Sequence, residues 1–176
     1  MRIESWAGVT AVLLLILTGA IAAESQQCRL SSLPVNLEMR RDLARVVERI
    51  YRRSPVFRAQ CERIARADHL RVMVRIDTAI PARCRAFTIV KRQGYAIVAD
   101  VHLPPSNGLV ELVAHEFEHV LEQIEGLDLK RLARVKGSGV HELEGRVFET
   151  DRAQRAGRLV IAEMERAVRP ANDLAD

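Results

Sequence analysis

Residues 109–124 read Leu-Val-Glu-Leu-Val-Ala-His-Glu-Phe-Glu-His-Val-Leu-Glu-Gln-Ile. At the centre of this stretch His115 and His119 stand four apart, and Glu116 directly follows the first of them. Residues four apart share one face of a helix, so both imidazoles can point at one metal ion, and Glu116 falls where metal-assisted hydrolysis needs a general base. Leu112, Val113, Phe117, Val120, Leu121 and Ile124 spread apolar surface around the helix, which predicts burial on more than one side. Asn107 is placed to cap its start and Gly126 its end.

Upstream, Leu70, Val72, Val74 and Ile76 alternate with Arg71, Met73 and Arg75, the period of a half-buried strand. Residues 86–91 and 95–103 read as two further strands joined at Gln93-Gly94, a hairpin that Pro104-Pro105 ends. Before them, Asn36 is expected to cap an amphipathic helix running from Leu37 to about Arg53, and Ser54-Pro55 to restart the chain as a second helix. Downstream, residues 127–135 read as a short helix and Lys136-Gly137-Ser138-Gly139 as a flexible loop. A long helix is expected from Val140 to about Val168, closed by Pro170. The expected fold is α+β. A small antiparallel or mixed sheet of about three strands packs with the helix of the two histidines, two N-terminal helices and a long C-terminal helix.

The first 23 residues stand apart. Arg2 is followed by an uncharged apolar stretch from Trp6 to Ala23, and Ala20-Ile21-Ala22 offers small residues of the kind a signal peptidase cuts. Residues 1–23 read as a secretory signal peptide or an uncleaved N-terminal anchor, and residues 24–176 as a single domain. The expected location is exported, periplasmic or secreted, with membrane association available through residues 6–23. Export permits disulfides. Among Cys28, Cys61 and Cys84 at most one internal bridge can form, and Cys61–Cys84 is the preferred pair. No two of the three have a metal-binding spacing.

Composition bounds the function classes. The chain is 48% hydrophobic and 28% charged, which predicts a folded globule. Aromatics are only 4%, too few for a platform on which single-stranded nucleic acid stacks. No nucleic-acid partner is expected. A net charge of +4, mostly arginine, fits solvated helix faces or affinity for anionic envelope surfaces and acidic substrates.

A buried helix bearing His-Glu-x-x-His, preceded by a small sheet and followed by a long helix, resembles the zincin family of metallopeptidases over residues 70–168. The resemblance implies that His115 and His119 bind Zn2+, that Glu116 is the base, and that a peptide or protein is the substrate. It also implies a third ligand further along the chain. The metzincin branch needs glycine and histidine where this chain has Glu122 and Glu125, so the pattern is similar to the gluzincin branch, which takes a glutamate from downstream.

Glu142, Glu144, Glu149 and Asp151 are the acids available there. On the expected helix Glu149 shares a face with Gly145, Ala153, Ala156 and Val160, small residues that permit a close approach, and Glu149 is the preferred third ligand. His141, at the mouth of the glycine loop, is its main rival, as a ligand or as an oxyanion partner, and Asp128 is a weaker one. Tyr95, His102 and Arg146 are auxiliary candidates, and the strand over 95–103 is the expected edge against which a peptide lies extended. Metal-dependent deformylases also carry the two-histidine motif, but their cysteine ligand has no counterpart in the surroundings of Cys84. The alternative to hydrolysis is a catalytically inactive zincin-like envelope binding protein that keeps a zinc site.

Overall fold

The computed structural model describes residues 33–81, 84–143 and 147–168; the segment 1–23, Cys28, Glu144, Gly145, Arg146 and Pro170 lie outside the described residues. Within them the chain is a mixed α+β fold with five helices, a four-stranded mixed sheet and a separate two-stranded sheet.

The alternating strand pattern predicted near residue 70 is strand β2 (Leu70–Ile76), reached from a short parallel partner, β1 (Leu37–Met39). Between them the chain crosses over through helices α1 (Arg41–Arg53) and α2 (Pro55–Ala65). A parallel pair requires such a crossover because the end of one strand and the start of the next lie at opposite ends of the sheet. The predicted hairpin is β3 (Phe87–Gln93) and β4 (Ala96–Leu103), paired antiparallel from Phe87 opposite His102 to Gln93 opposite Ala96. Gly94 turns it with φ 59°, a value that L residues adopt only with strain. Strand β4 also pairs parallel with β2, so the order is β1-β2-β4-β3. Residues 95–103 therefore form an inner strand, and the edge beside the histidine helix is β3.

Two expectations fail at the chain's ends. Residues 37–39 are a strand, not the first turn of a helix. Leu37 and Met39 suit either period over so short a run. Tertiary pairing with Val72 and Val74 decides it. Asn36 caps nothing; its amide donates to the carbonyls of Ile64 at 2.8 Å and Leu70 at 3.1 Å, tying the end of α2 to β2. Residues 140–143 and 147–150 are likewise not helical. They form a hairpin, β5 (Val140–Leu143) and β6 (Val147–Thr150), with Val140 opposite Thr150. Only then does α5 (Asp151–Arg166) begin, capped by Thr150, whose hydroxyl accepts from Ala153 N–H at 3.0 Å. β-branched Val140, Val147 and Thr150 favour the extended form.

The central helix α3 (Leu109–Ile124) is as predicted, and Gly126 follows it with φ 74°. Its start is Gly108 without a side-chain cap, so Asn107 does not serve as one. The short helix expected over 127–135 is the single turn α4 (Leu129–Leu132), capped by the Asp128 carboxylate. Ser54 caps α2 as expected, accepting from Phe57 N–H at 3.0 Å.

One face of the sheet is apolar. Val72, Val74, Ile97, Ala99, Val101 and Leu103 are buried against Val47, Ile50, Phe57, Val113, Phe117 and Val120 of the helices. Phe57 stacks on Phe117 with ring centres 5.3 Å apart. Burying side chains of this size stabilises by about 1.5–3 kcal/mol each. Helix α5 lies on the other flank of α3, and Gly157 lets it come close. A Cβ at Gly157 would stand 3.1 Å from the backbone oxygen of Glu111 and 3.6 Å from Cβ of His115. Cys61 is fully buried in this core and Cys84 is half-buried in the loop before β3; both are free thiols, so the expected Cys61–Cys84 bridge is absent. Burial pushes the Cys61 thiol up to about 12, leaving it an inert apolar filler.

A polar network centred on the buried Glu118 fastens α5 and α2 to α3. Glu118, only 6% exposed, accepts from Gln60 Nε2 at 2.6 Å and from Arg152 Nε at 2.6 Å. Arg152 also reaches Glu125 at 2.5 Å, and Arg63 pairs with the same carboxylate. Glu118→Ala leaves Gln60 without that acceptor and both guanidiniums short of charge. Breaking a fully buried pair costs about 3–5 kcal/mol. Both arginines keep Glu125 and partial solvent, so a loss of about 3 kcal/mol is expected in denaturant unfolding, and a change below about 1 kcal/mol would show the network to be ornamental.

Candidate metal centre

Helix α3 presents His115 and His119 one turn apart on the face turned towards hairpin β5–β6 and strand β3. Their Nε2 atoms are 3.2 Å apart. Glu149, on β6, brings Oε1 to 3.3 Å from His115 Nε2 and 3.8 Å from His119 Nε2. The three ligand-type atoms lie within 4.8 Å of one another. Zinc bound to nitrogen and oxygen at about 2.0–2.1 Å in tetrahedral geometry needs donors about 3.3 Å apart, so the spacing and the donor set both suit that ion. The rings are nearly buried, with side chains 14% and 13% exposed, while Glu149 is 25% exposed and faces the cleft.

The partners behind these atoms fix their orientation. His119 Nδ1 is 2.9 Å from Glu122 Oε2, and the other oxygen of Glu122 accepts from Thr150 Oγ1 at 2.6 Å. A carboxylate on Nδ1 holds the proton there and leaves the Nε2 lone pair free for a cation. Glu122 is 1% exposed. Thr150 is the neighbour of Glu149 and the cap of α5, so one hydroxyl links His119, the Glu149 strand and the helix that follows.

Glu116 is 3% exposed, and its Oε2 accepts from Thr88 Oγ1 at 2.7 Å. Burial raises its pKa above the ordinary carboxylate value, and the nearby histidines and the Thr88 hydroxyl offset only part of the rise. Burial also works against the charged ring of His119. Its hydrogen bond to Glu122 and the carboxylates of Glu116, Glu122 and Glu149 outweigh that, and its pKa is raised. For Glu149, burial is likewise the largest influence, but His115 and the Thr150 N–H reverse it and its pKa is lowered.

These groups open into a cleft of about 880 Å3. Edge strand β3 lines one side from Phe87 to Val90, and Leu143, Val147 and Phe148 of the hairpin line the other. At the rim Arg85 grips Glu111 through two hydrogen bonds of 3.0 and 2.8 Å, which holds the Glu111 carboxyl below its ordinary pKa.

The other sequence candidates fall outside this cluster. His141 stands directly across the hairpin from Glu149, yet its ring turns to Asp151 at 3.2 Å and is 57% exposed. Glu142 is exposed, and Asp128 serves α4. Tyr95 is 79% exposed at the hairpin turn. His102 alternates with the buried Val101 and Leu103, so it lies on the sheet face turned away from α3, bonded to Asp77 at 2.8 Å. Glu149 joins the histidines, but from a strand rather than from the helical face expected of it. Sequence reasoning misses Glu122 and Thr88. Glu122 has a signal, its position three residues after His119 on one helix; Thr88 has none, because its reach depends on how β3 meets α3.

No family model, curated protein or solved structure matches this chain. What the centre can do is set by its own side chains: two imidazoles and a carboxylate to hold a cation, and a buried carboxylate beside them to carry a proton.

Proposed function

We propose that the protein is an exported zinc-dependent hydrolase of the metallopeptidase kind. The observation that carries this reading is the convergence of His115, His119 and Glu149, from a helix and a distant strand, at tetrahedral donor spacing next to Glu116. His115, His119 and Glu149 would hold the zinc, which would supply a Lewis acid able to lower the pKa of water. Glu116 is the group placed to accept a proton and later to give it to the leaving amine. Thr88 occupies its Oε2, which leaves Oε1 to act. A raised pKa suits a base that must hold a proton between two steps. Glu122 keeps His119 in the tautomer that binds. An extended peptide fits beside β3, whose outer edge has no strand partner among the described residues and faces the cleft.

The test joins metal content to turnover. Purified protein is expected to hold close to one equivalent of zinc and to cleave mixed unstructured peptides, with cleavage lost on chelation and restored by zinc. Zinc below about half an equivalent after saturation and desalting would remove the reading. A full equivalent with no cleavage of any peptide would favour a binding protein on the same scaffold.

A further inference from the structure

The site described above uses α3, β3, β5, β6 and α5. Helix α1 contributes nothing to it, yet α1 and α2, with the arginines that flank them, together carry more than the whole chain's excess of positive charge. From Arg40 to Arg66 arginine outnumbers acid nine to three, an excess larger than the +4 of the whole chain, so the remainder is slightly acidic. Five of the nine have partners, Arg40 with Asp42 and Arg66 with Glu62 among them. Arg52 pairs with Glu48, Arg63 with Glu118 and Glu125, and Arg58 donates to backbone carbonyls. Arg41, Arg45, Arg49 and Arg53 are different. They are exposed, they follow one another at every fourth position, and none finds a carboxylate among the described residues. Steps of four keep them on one side of the helix over about 18 Å. No exposed apolar or aromatic residue interrupts the row.

We propose that this arginine row is a docking surface for a bilayer rich in anionic lipid. Guanidinium forks match phosphate oxygens bidentately, and four at one-turn intervals meet several headgroups at once. The absence of interleaved aromatics and amides leaves nothing for reading or stacking bases. The sequence favours a lipid source over a nucleic acid in a second way, because the uncharged stretch Trp6–Ala23 precedes Arg41 by only eighteen positions. The surface stands apart from the cleft. Docking through it is peripheral and electrostatic, without an apolar wedge, and is therefore sensitive to salt.

The experiment is co-sedimentation of the full chain with vesicles of phosphatidylcholine alone or with 30% phosphatidylglycerol, comparing wild type with the fourfold variant R41Q, R45Q, R49Q and R53Q. Both proteins carry the same N-terminal stretch, so any binding through it cancels. Each arginine near an anionic surface contributes about fivefold, so the variant is expected to bind anionic vesicles on the order of several hundred-fold more weakly. Wild type should also release in about 0.5 M salt, where the screening length falls below 5 Å. Equal binding of the two proteins, or no preference of wild type for anionic over neutral vesicles, would overturn the proposal. Tighter binding of wild type to duplex DNA than to anionic vesicles at the same salt would overturn the choice of partner. Unchanged circular dichroism and zinc content in the variant show that the fold and the other site are intact.

Discussion

Glu116→Gln is expected to keep its zinc and to lose hydrolysis by about 10²–10⁴-fold, the range that a positioned acid–base group supplies. The substitution is nearly isosteric, which matters at a residue only 3% exposed. Thr88 Oγ1 can still donate to the amide oxygen, so the side chain keeps its anchor at 2.7 Å. None of the three converging donors is altered, so metal content should stay near one equivalent. Stability should change little, since a neutral amide replaces a carboxylate whose charge burial already disfavours. Turnover and zinc content are measured on the same preparation. Retained turnover would strip Glu116 of its role, while loss of zinc with turnover would show damage to the centre rather than removal of a base.

Glu149→Ala should act on the metal itself. It removes the only carboxylate among the three donors and leaves two histidines on a single helix. Zinc affinity is expected to fall by more than about 100-fold, measured by competition with a chromophoric chelator. Glu122→Ala gives the internal scale. It removes the group that orients His119 but no donor, so its loss should stay within about 10–100-fold. The order of the two effects is the test. Were Glu122→Ala the more damaging, or were Glu149→Ala neutral, the third donor would have to lie elsewhere. His141 is not expected to replace it, because its ring is engaged with Asp151.

The parts of the fold legible in the sequence are those whose elements are long and one-sided. Strand β2 follows from period-two alternation, hairpin β3–β4 from two runs joined at Gln93-Gly94 and ended by Pro104-Pro105, and α3 from its dense apolar pattern. Ser54-Pro55 and Gly126 mark helix ends by chemistry that acts locally. The errors fall on short strands. Three residues of β1 and four in each arm of the second hairpin carry too little pattern to outvote neighbouring helix formers. Asn36 and Asn107 look like caps, but one ties β2 to α2 and the other gives way to Gly108. A polar side chain at the mouth of a helix has competing partners that only the packed chain reveals.

The centre divides in the same manner. His115, Glu116 and His119 are placed together by helix geometry, which is local and therefore written in residue spacing. The sequence favours Glu149 through a helical face shared with Ala153 and Ala156, yet Glu149 reaches the histidines from a strand. The convergence itself comes from the packing of the hairpin and α5 against α3, made close by Gly157. The orienting bond from Glu122 is local, while those from Thr88 and Thr150 span 28 residues each. Sequence alone determined two imidazoles and a neighbouring carboxylate on a buried helix. Which carboxylate meets them, which hydroxyls hold them and which strand borders the cleft were decided by tertiary structure, because those contacts join residues that no local periodicity relates.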